Sequence, residues 1–313
     1  MLRRISATVQ IGLLVAGSTA AGLAARAEAA ATPPDLSGGW ARRAFALEDP
    51  RSGPGPLQNP ETSANGLDPA TLDYMKRLLK PAAADMVMKR FEAARAGTPL
   101  PSPSWSCQPM VAPYIFRVQG MHLLQTKDEV LFLYMQDHQV RRVRLGAKHT
   151  ARVTPSWHGD SIGHYEGDSL IVDTIGVKVG PVPMVDQAGS PYSEALHVTE
   201  RYRLIDYSAA IEAENRNIKL NGSSGNFQAA GIDAGYRGKG LQVEFTVEDP
   251  NVFKMPWSGA ATYRKSDGTW IENVCAENLH EYYGNKDTQA PQASKLSLAL
   301  VVIRTPPECP SWE

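Results

Sequence analysis

Cysteine is scarce in this 313-residue chain: only Cys107, Cys275 and Cys309, no two of them in a C-x-x-C pair. That spacing excludes the common zinc and thiol-redox motifs. In an oxidising compartment it leaves one structural bridge plus one further thiol, with the pairing open among the three. A strong charge of one sign is also missing, at 32 basic against 33 acidic residues. Phosphate-binding chains carry a clear basic excess, so nucleic acid is not an expected partner. No apolar run beyond the N-terminus reaches the ~18 residues of a membrane span. There is no Rossmann or P-loop glycine pattern, no fixed-period repeat, and no H-x-H, H-E-x-x-H or facial-triad spacing. No organic cofactor or metal is therefore predicted. A metal site would depend wholly on the fold gathering His158, His164, His197 and nearby carboxylates.

Residues 1–29 read as an export signal. MLRR is a basic start, 5–24 is apolar and small, and Ala27-Glu28-Ala29 offers a small-x-small cleavage step. Gly12, Gly17, Ser18 and Gly22 break the stretch and disfavour an anchor. Arg3-Arg4 also suits twin-arginine export, with the general secretory route favoured. Cleavage leaves 29 basic against 32 acidic residues, a mildly acidic protein expected in the periplasm or outside the cell. Its oligomeric state is not legible.

Residues 30–67 form an extended leader and first strand, and 68–104 a helical segment and proline-rich linker. Asp68-Pro69 is a helix start, followed by Leu72, Met75, Leu78 and Leu79 at helical spacing. Pro81 interrupts, and Met86, Val87, Phe91 and Ala94 continue the period to Gly97. Residues 105–313 change to a β pattern. Strands are expected over 114–118, 121–125, 129–135, 139–145, 169–175, 195–205, 241–248, 260–265 and 269–275, with 206–240 a long excursion over the barrel mouth. This predicts a mainly β protein, an antiparallel barrel or sandwich with a short helical segment outside it.

The densest chemistry is 157–176, WHGDSIGHYEGDSLIVDTIG. Gly159, Gly163 and Gly167 permit sharp turns or close backbone approach. Glu166-Gly167-Asp168 reads as a hairpin turn in which Asp168 bonds its own backbone. Asp173 interrupts an apolar strand, so its carboxylate either faces solvent or is buried and hydrogen-bonded. His158 and His164 flank Asp160 and Ser161, and an imidazole beside a carboxylate moves protons near neutral pH. Ser161 lacks a nucleophile elbow. In 195–205, alternation sets His197, Thr199 and Arg201 on one face and Val198, Glu200 and Tyr202 on the other. The first face would suit a polar substrate or anionic intermediate. Glu277 and His280 could close the same pocket, and Trp157, Tyr165, Tyr202 and Trp257 could line it. For each of these residues a framework, hydrated-ladder or core role is the competing reading.

The Gly38-Gly39-Trp40 step resembles the start of lipocalin- and avidin-like barrels, which gives the fold a lipocalin-like character. Larger blocks add a second likeness. These are Asp35-Leu36-Ser37-Gly38-Gly39-Trp40; the run from Trp157 to Gly176; Leu196-His197-Val198 with Glu200-Arg201-Tyr202; Asp249-Pro250 with Pro256-Trp257; and Val274-Cys275-Ala276-Glu277-Asn278. Together they resemble a large, mostly uncharacterised family of exported bacterial β-rich proteins, over most of residues 35–280. That resemblance implies compartment and fold, not a particular activity. Tyr165 replaces the family's more usual Trp, 206–240 is longer, and Gln108-Pro109-Met110-Val111 departs after the first cysteine.

The expected function is acid–base catalysis without an organic cofactor on a small apolar or aromatic molecule, by hydration, elimination, isomerisation or hydrolysis. His158 or His164 with Asp160 or Asp173 would transfer the proton, and His197 and Arg201 would stabilise developing charge. The alternatives are a non-catalytic periplasmic ligand binder and a structural envelope protein. Enzyme chemistry requires these side chains to converge.

Overall fold

The computed structural model describes residues 32–43, 47–50, 76–98, 101–104, 106–117, 120–186, 188–221 and 231–270, with Glu272 and Cys275. Nine strands close into a barrel in chain order. They are β1 (Gly38–Ala41), β2 (Met121–Gln125), β3 (Glu129–Tyr134), β4 (Val140–Leu145), β5 (Asp160–Glu166), β6 (Ser169–Ile175), β7 (His197–Ile205), β8 (Gly240–Glu248) and β9 (Trp257–Lys265). Among the described residues, α1 (Pro81–Arg95) and α2 (Tyr207–Asn221) are the long helices that accompany them. The fold is mainly β, and of the two predicted architectures the barrel is the one that forms.

A closed ring with an odd number of strands cannot have every neighbour antiparallel. The one parallel pair among the nine is β4 with β5, Val143 standing opposite Ser161. Parallel neighbours need a long return connection. Here it is the fourteen-residue crossover 146–159.

The interior is filled. Trp40, Phe116, Phe132, Tyr202, Phe245, Trp257 and Tyr263 are all buried, with ring centroids of Phe132 and Tyr202 5.0 Å apart. Each such side chain contributes roughly 1.5–3 kcal/mol of burial energy. Trp40 turns inward and donates its indole N–H to the Leu36 carbonyl at 2.8 Å. Loops close one end. The Gln108 amide clasps the main chain of Val182 in both directions, at 2.9 and 3.0 Å. Asp249 receives both the N–H and the hydroxyl of Ser193, so the Asp249-Pro250 step is tied to the segment leading into β7. The Cys107–Cys275 disulfide spans 168 residues; Cys309 lies outside the described residues.

Several boundaries differ from expectation. Residues 114–117 are a buried 3-10 turn, not a strand, with Phe116 entering the barrel interior. A short apolar run looks alike in either state. β5 was not foreseen because its inward residues include Ser161 and Gly163, which leave no apolar alternation. Within 206–240, α2 packs on the outer face of β8 and β9, not over a barrel mouth, with Arg264 paired to Glu214 at 3.2 Å. Its buried stripe is Ala210, Ala213 and Asn217, too small and polar to register as a hydrophobic period. The helical period does break before Pro81, as expected: residues 76–78 are helical, 79–80 are not, and α1 starts at Pro81; the part of the first predicted helix before 76 lies outside the described residues. Thr269, Trp270 and Glu272 are not in a strand.

Candidate functional site

The strands β5, β6 and β7 carry polar side chains on both faces. Outward, the hairpin register places Asp173 opposite Ile162 on one side and Thr199 on the other. Gly159 (φ 66°) opens this hairpin where a Cβ would stand 2.5 Å from the Ile175 carbonyl oxygen, and Gly167 (φ 57°) turns it. Asp168 accepts from the Ser169 hydroxyl at 2.9 Å; no bond to its own backbone is found among the described residues.

Asp173 is shared by two imidazoles. His197 Nε2 donates to its Oδ2 at 2.7 Å, and His149 Nε2 to its Oδ1 at 2.7 Å. His149, from the crossover, also places Nδ1 3.2 Å from Asp160 Oδ2. Both of its contacts are hydrogen bonds only when the ring carries both protons, since ionised carboxylates solely accept. Asp160 is held further by Arg144 at 2.5 Å and the Thr150 N–H at 3.1 Å. The hydrogen bond from His197, opposed by partial burial and helped by His149, keeps the Asp173 carboxyl below its ordinary value. The same bond raises His197 above the ordinary imidazole value, with Asp173 and Glu248 adding attraction. About a third of each of these two side chains is exposed. Alongside, Ile171, Thr199, Arg201, Glu244 and Thr246 line a groove of about 130 Å3.

The inner face carries a different network. Arg141, fully enclosed, forms a two-pronged pair with Glu200 at 2.7 and 3.0 Å. It also donates to Ser161 at 3.0 Å and Thr174 at 2.6 Å. Tyr202 donates to Glu200 at 2.6 Å. His158 turns toward this network and stacks on Tyr134, ring centroids 5.8 Å apart. Burial first, and then the Arg141 charge, depress its pKa to about 3.

The predicted site residues therefore divide. Asp160, Asp173 and His197 come together, through His149. His164 and Arg201 instead meet at Glu166, at 2.9 and 2.8 Å, on an exposed part of the outer face. His158 stays with the inner network. Tyr202 and Trp257, expected to line a ligand pocket, are packed in the filled interior, Trp257 edge-on to Phe245 and Phe253. Trp157 lies under the Lys178 ammonium at 5.0 Å. Tyr165 accepts from Gln125 at 2.7 Å and lines a cleft of about 620 Å3 with Pro33, Pro34, Asp35, Ser37, Lys127 and His164. Glu277 and His280 lie outside the described residues.

Two features went unread in the sequence. Glu200 is in phase with the apolar Val198 and Tyr202, a pattern that demands a buried partner. Arg141, in phase with Val143, is that partner. His149 had no such signal, because its place depends on the parallel β4–β5 pairing. Among the described residues, no three His, Cys, Asp or Glu are grouped to hold a metal ion. Compared with protein-family models, characterised proteins and solved structures, the chain matches none.

Proposed function

We propose that this is an exported acid–base enzyme without an organic cofactor, in which His197 carries the proton and Asp173 positions it. The supporting observation is the Asp173 carboxylate bound at 2.7 Å by imidazoles from the crossover and from β7. With Nε2–H committed to Asp173, Nδ1 is the nitrogen left to take or give a proton. A raised imidazole beside a carboxylate is suited to that exchange near neutrality. The neighbouring groove of about 130 Å3 fits only a small reacting group, against the Thr199 hydroxyl and Ile171. The chemistry is hydration, elimination, isomerisation or hydrolysis. Arg201, held on Glu166, supplies positive potential at the groove. The disulfide supports an oxidising compartment, in keeping with the resemblance to exported β-rich proteins.

The test is a panel of small unsaturated carbonyl, hydroxy-carbonyl and ester substrates, assayed across pH. The expected outcome is a rate that rises as His197 loses its proton and falls roughly 10²–10⁴-fold in His197→Ala. Equal rates in wild type, His197→Ala and Asp173→Asn would remove these residues from the chemistry. A non-catalytic carrier is the second reading, favoured by the 620 Å3 cleft at Tyr165. It predicts saturable ligand binding that Tyr165→Ala abolishes, with no turnover.

A further inference from the structure

Beyond the outer relay, the barrel has a mouth that the proposed reaction does not use. Gln125, Leu145 and Tyr165 are the last inward-phased residues of β2, β4 and β5, each two positions after a buried one: Leu123, Val143 and Gly163. These three strands run the same way, because β2 and β4 are both antiparallel to β3, and β5 is parallel to β4. Their ends therefore lie at one end of the ring. The leader into β1 arrives there too, since β1 is antiparallel to β2 with Gly38 opposite Leu123. Between them opens the cleft of about 620 Å3, floored by Tyr165 and Leu145, which pack on the core, and walled by Pro33 and Pro34. Small-molecule sites occupy ~300–1,000 Å3, and barrel mouths are among their usual places.

One side chain ties the walls together. Gln125 Oε1 accepts the Leu36 N–H at 2.5 Å and the Ser37 hydroxyl at 3.1 Å. Its Nε2 donates to the Pro34 carbonyl at 3.0 Å and to the Tyr165 hydroxyl oxygen at 2.7 Å. The last bond orients the tyrosine: its oxygen already accepts, so its own hydrogen turns away from Gln125 and is left for a ligand. Lys127 stands 3.8 Å from Asp128, both exposed, a loose contact that leaves the ammonium able to donate. Across the cleft, the Ser37 N–H donates to Asp35 at 3.0 Å and holds its carboxyl below the ordinary value, so a charged acceptor stands at the rim. Lys127 and Asp35 balance, which selects neither an anion nor a cation. What fits is a neutral molecule with an apolar face and closely spaced groups that both donate and accept. We propose that this barrel mouth binds a pyranose ring, its C–H face on the Tyr165–Leu145 floor, one oxygen accepting from Tyr165 and Lys127 and one hydroxyl donating to Asp35. This rests on the cleft being a binding site, as in the carrier reading, and gives it a ligand class.

Titration of the full-length protein with cellobiose, maltose and diacetylchitobiose tests this, followed by backbone NMR signals. Saturable binding of at least one is expected, with shifts concentrated at Gln125, Lys127, Gly146 and Tyr165. Tyr165→Phe should weaken it about three- to tenfold and Asp35→Asn about tenfold, while His197→Ala leaves it unchanged. Tyr165→Phe removes the hydroxyl alone and leaves Gln125 its bonds to Pro34, Leu36 and Ser37, so loss of binding is separable from loss of fold. No saturable binding by any of the three sugars, or binding that neither cleft substitution weakens, would overturn the pyranose assignment. Benzoate and cyclohexanone are titrated alongside. If either saturates the cleft while the sugars do not, the carrier reading stands and the pyranose assignment falls; if nothing in either set binds, both fall.

Discussion

Two networks back onto each other across β5–β7, and adjacent residues serve opposite faces: Asp160 and Ser161, Asp173 and Thr174. The inner network of Arg141, Glu200, Ser161, Thr174 and Tyr202 is dry and closed upon itself. The outer network of Arg144, Asp160, His149, Asp173 and His197 is open to water and contains groups that titrate. The physics of the two therefore differs. A buried ion pair is costly to break, because the surviving partner is left as an uncompensated charge, yet it does little that an apolar pair would not do. A half-exposed pair contributes little stability but remains free to exchange protons. The inner network specifies the barrel; the outer one is where chemistry is available.

The comparison is broken most severely from inside. Glu200→Ala should lower unfolding free energy by about 3–5 kcal/mol in denaturant titrations, with the Arg141→Met/Glu200→Leu double variant recovering most of it. A double variant as unstable as Glu200→Ala would show that the charges themselves are needed. On the outside the balance reverses. His197→Ala should change stability by under about 1 kcal/mol while removing the activity proposed above.

The pH response sharpens the contrast further. The raised His197 contributes stability fully below its ordinary value of 6.5 and loses it as pH rises through its raised folded value. The lowered Asp173 contributes fully above its ordinary 3.8 and loses it as pH falls through its lowered folded value. The stability advantage of wild type over Asp173→Asn should thus plateau between about pH 4 and 6.5 and shrink on both sides. A flat difference across pH 3–9 would contradict the relay. The smallest effect is spectroscopic. Histidine NMR should find His158 neutral down to about pH 3, while His197 titrates above the ordinary imidazole range.

Much of this was legible along the chain. The period-2 pattern located β2, β3, β4, β6, β7 and β8 closely, because most of their inward positions are apolar, Arg141, Thr174 and Glu200 being exceptions. β5 was not legible, because Ser161 and Gly163 line its inner side. α2 was missed for a related reason, its buried face being alanine and asparagine. Within the site, alternation put His197, Thr199 and Arg201 together on one face of their strand, which in the barrel is the outer one. It could not say that His197 and Arg201 would serve different partners. They lie four residues apart on β7, and each meets whatever the hairpin register brings opposite.

What the sequence by itself determined was the repertoire: short alternating strands, a turn at Glu166-Gly167-Asp168, and acid–base side chains concentrated in 157–176 and 195–205. Those follow from local pattern, since strand alternation and turn chemistry act over a few residues. Which side chains meet was decided by tertiary structure. Closure of nine strands forces one parallel pair, that pair requires the crossover 146–159, and the crossover carries His149 onto Asp160 and Asp173. The Arg141–Glu200 pair likewise joins residues 59 apart in sequence through curvature of the whole sheet. Ring closure is a property of the entire barrel, and no stretch of the chain contains it.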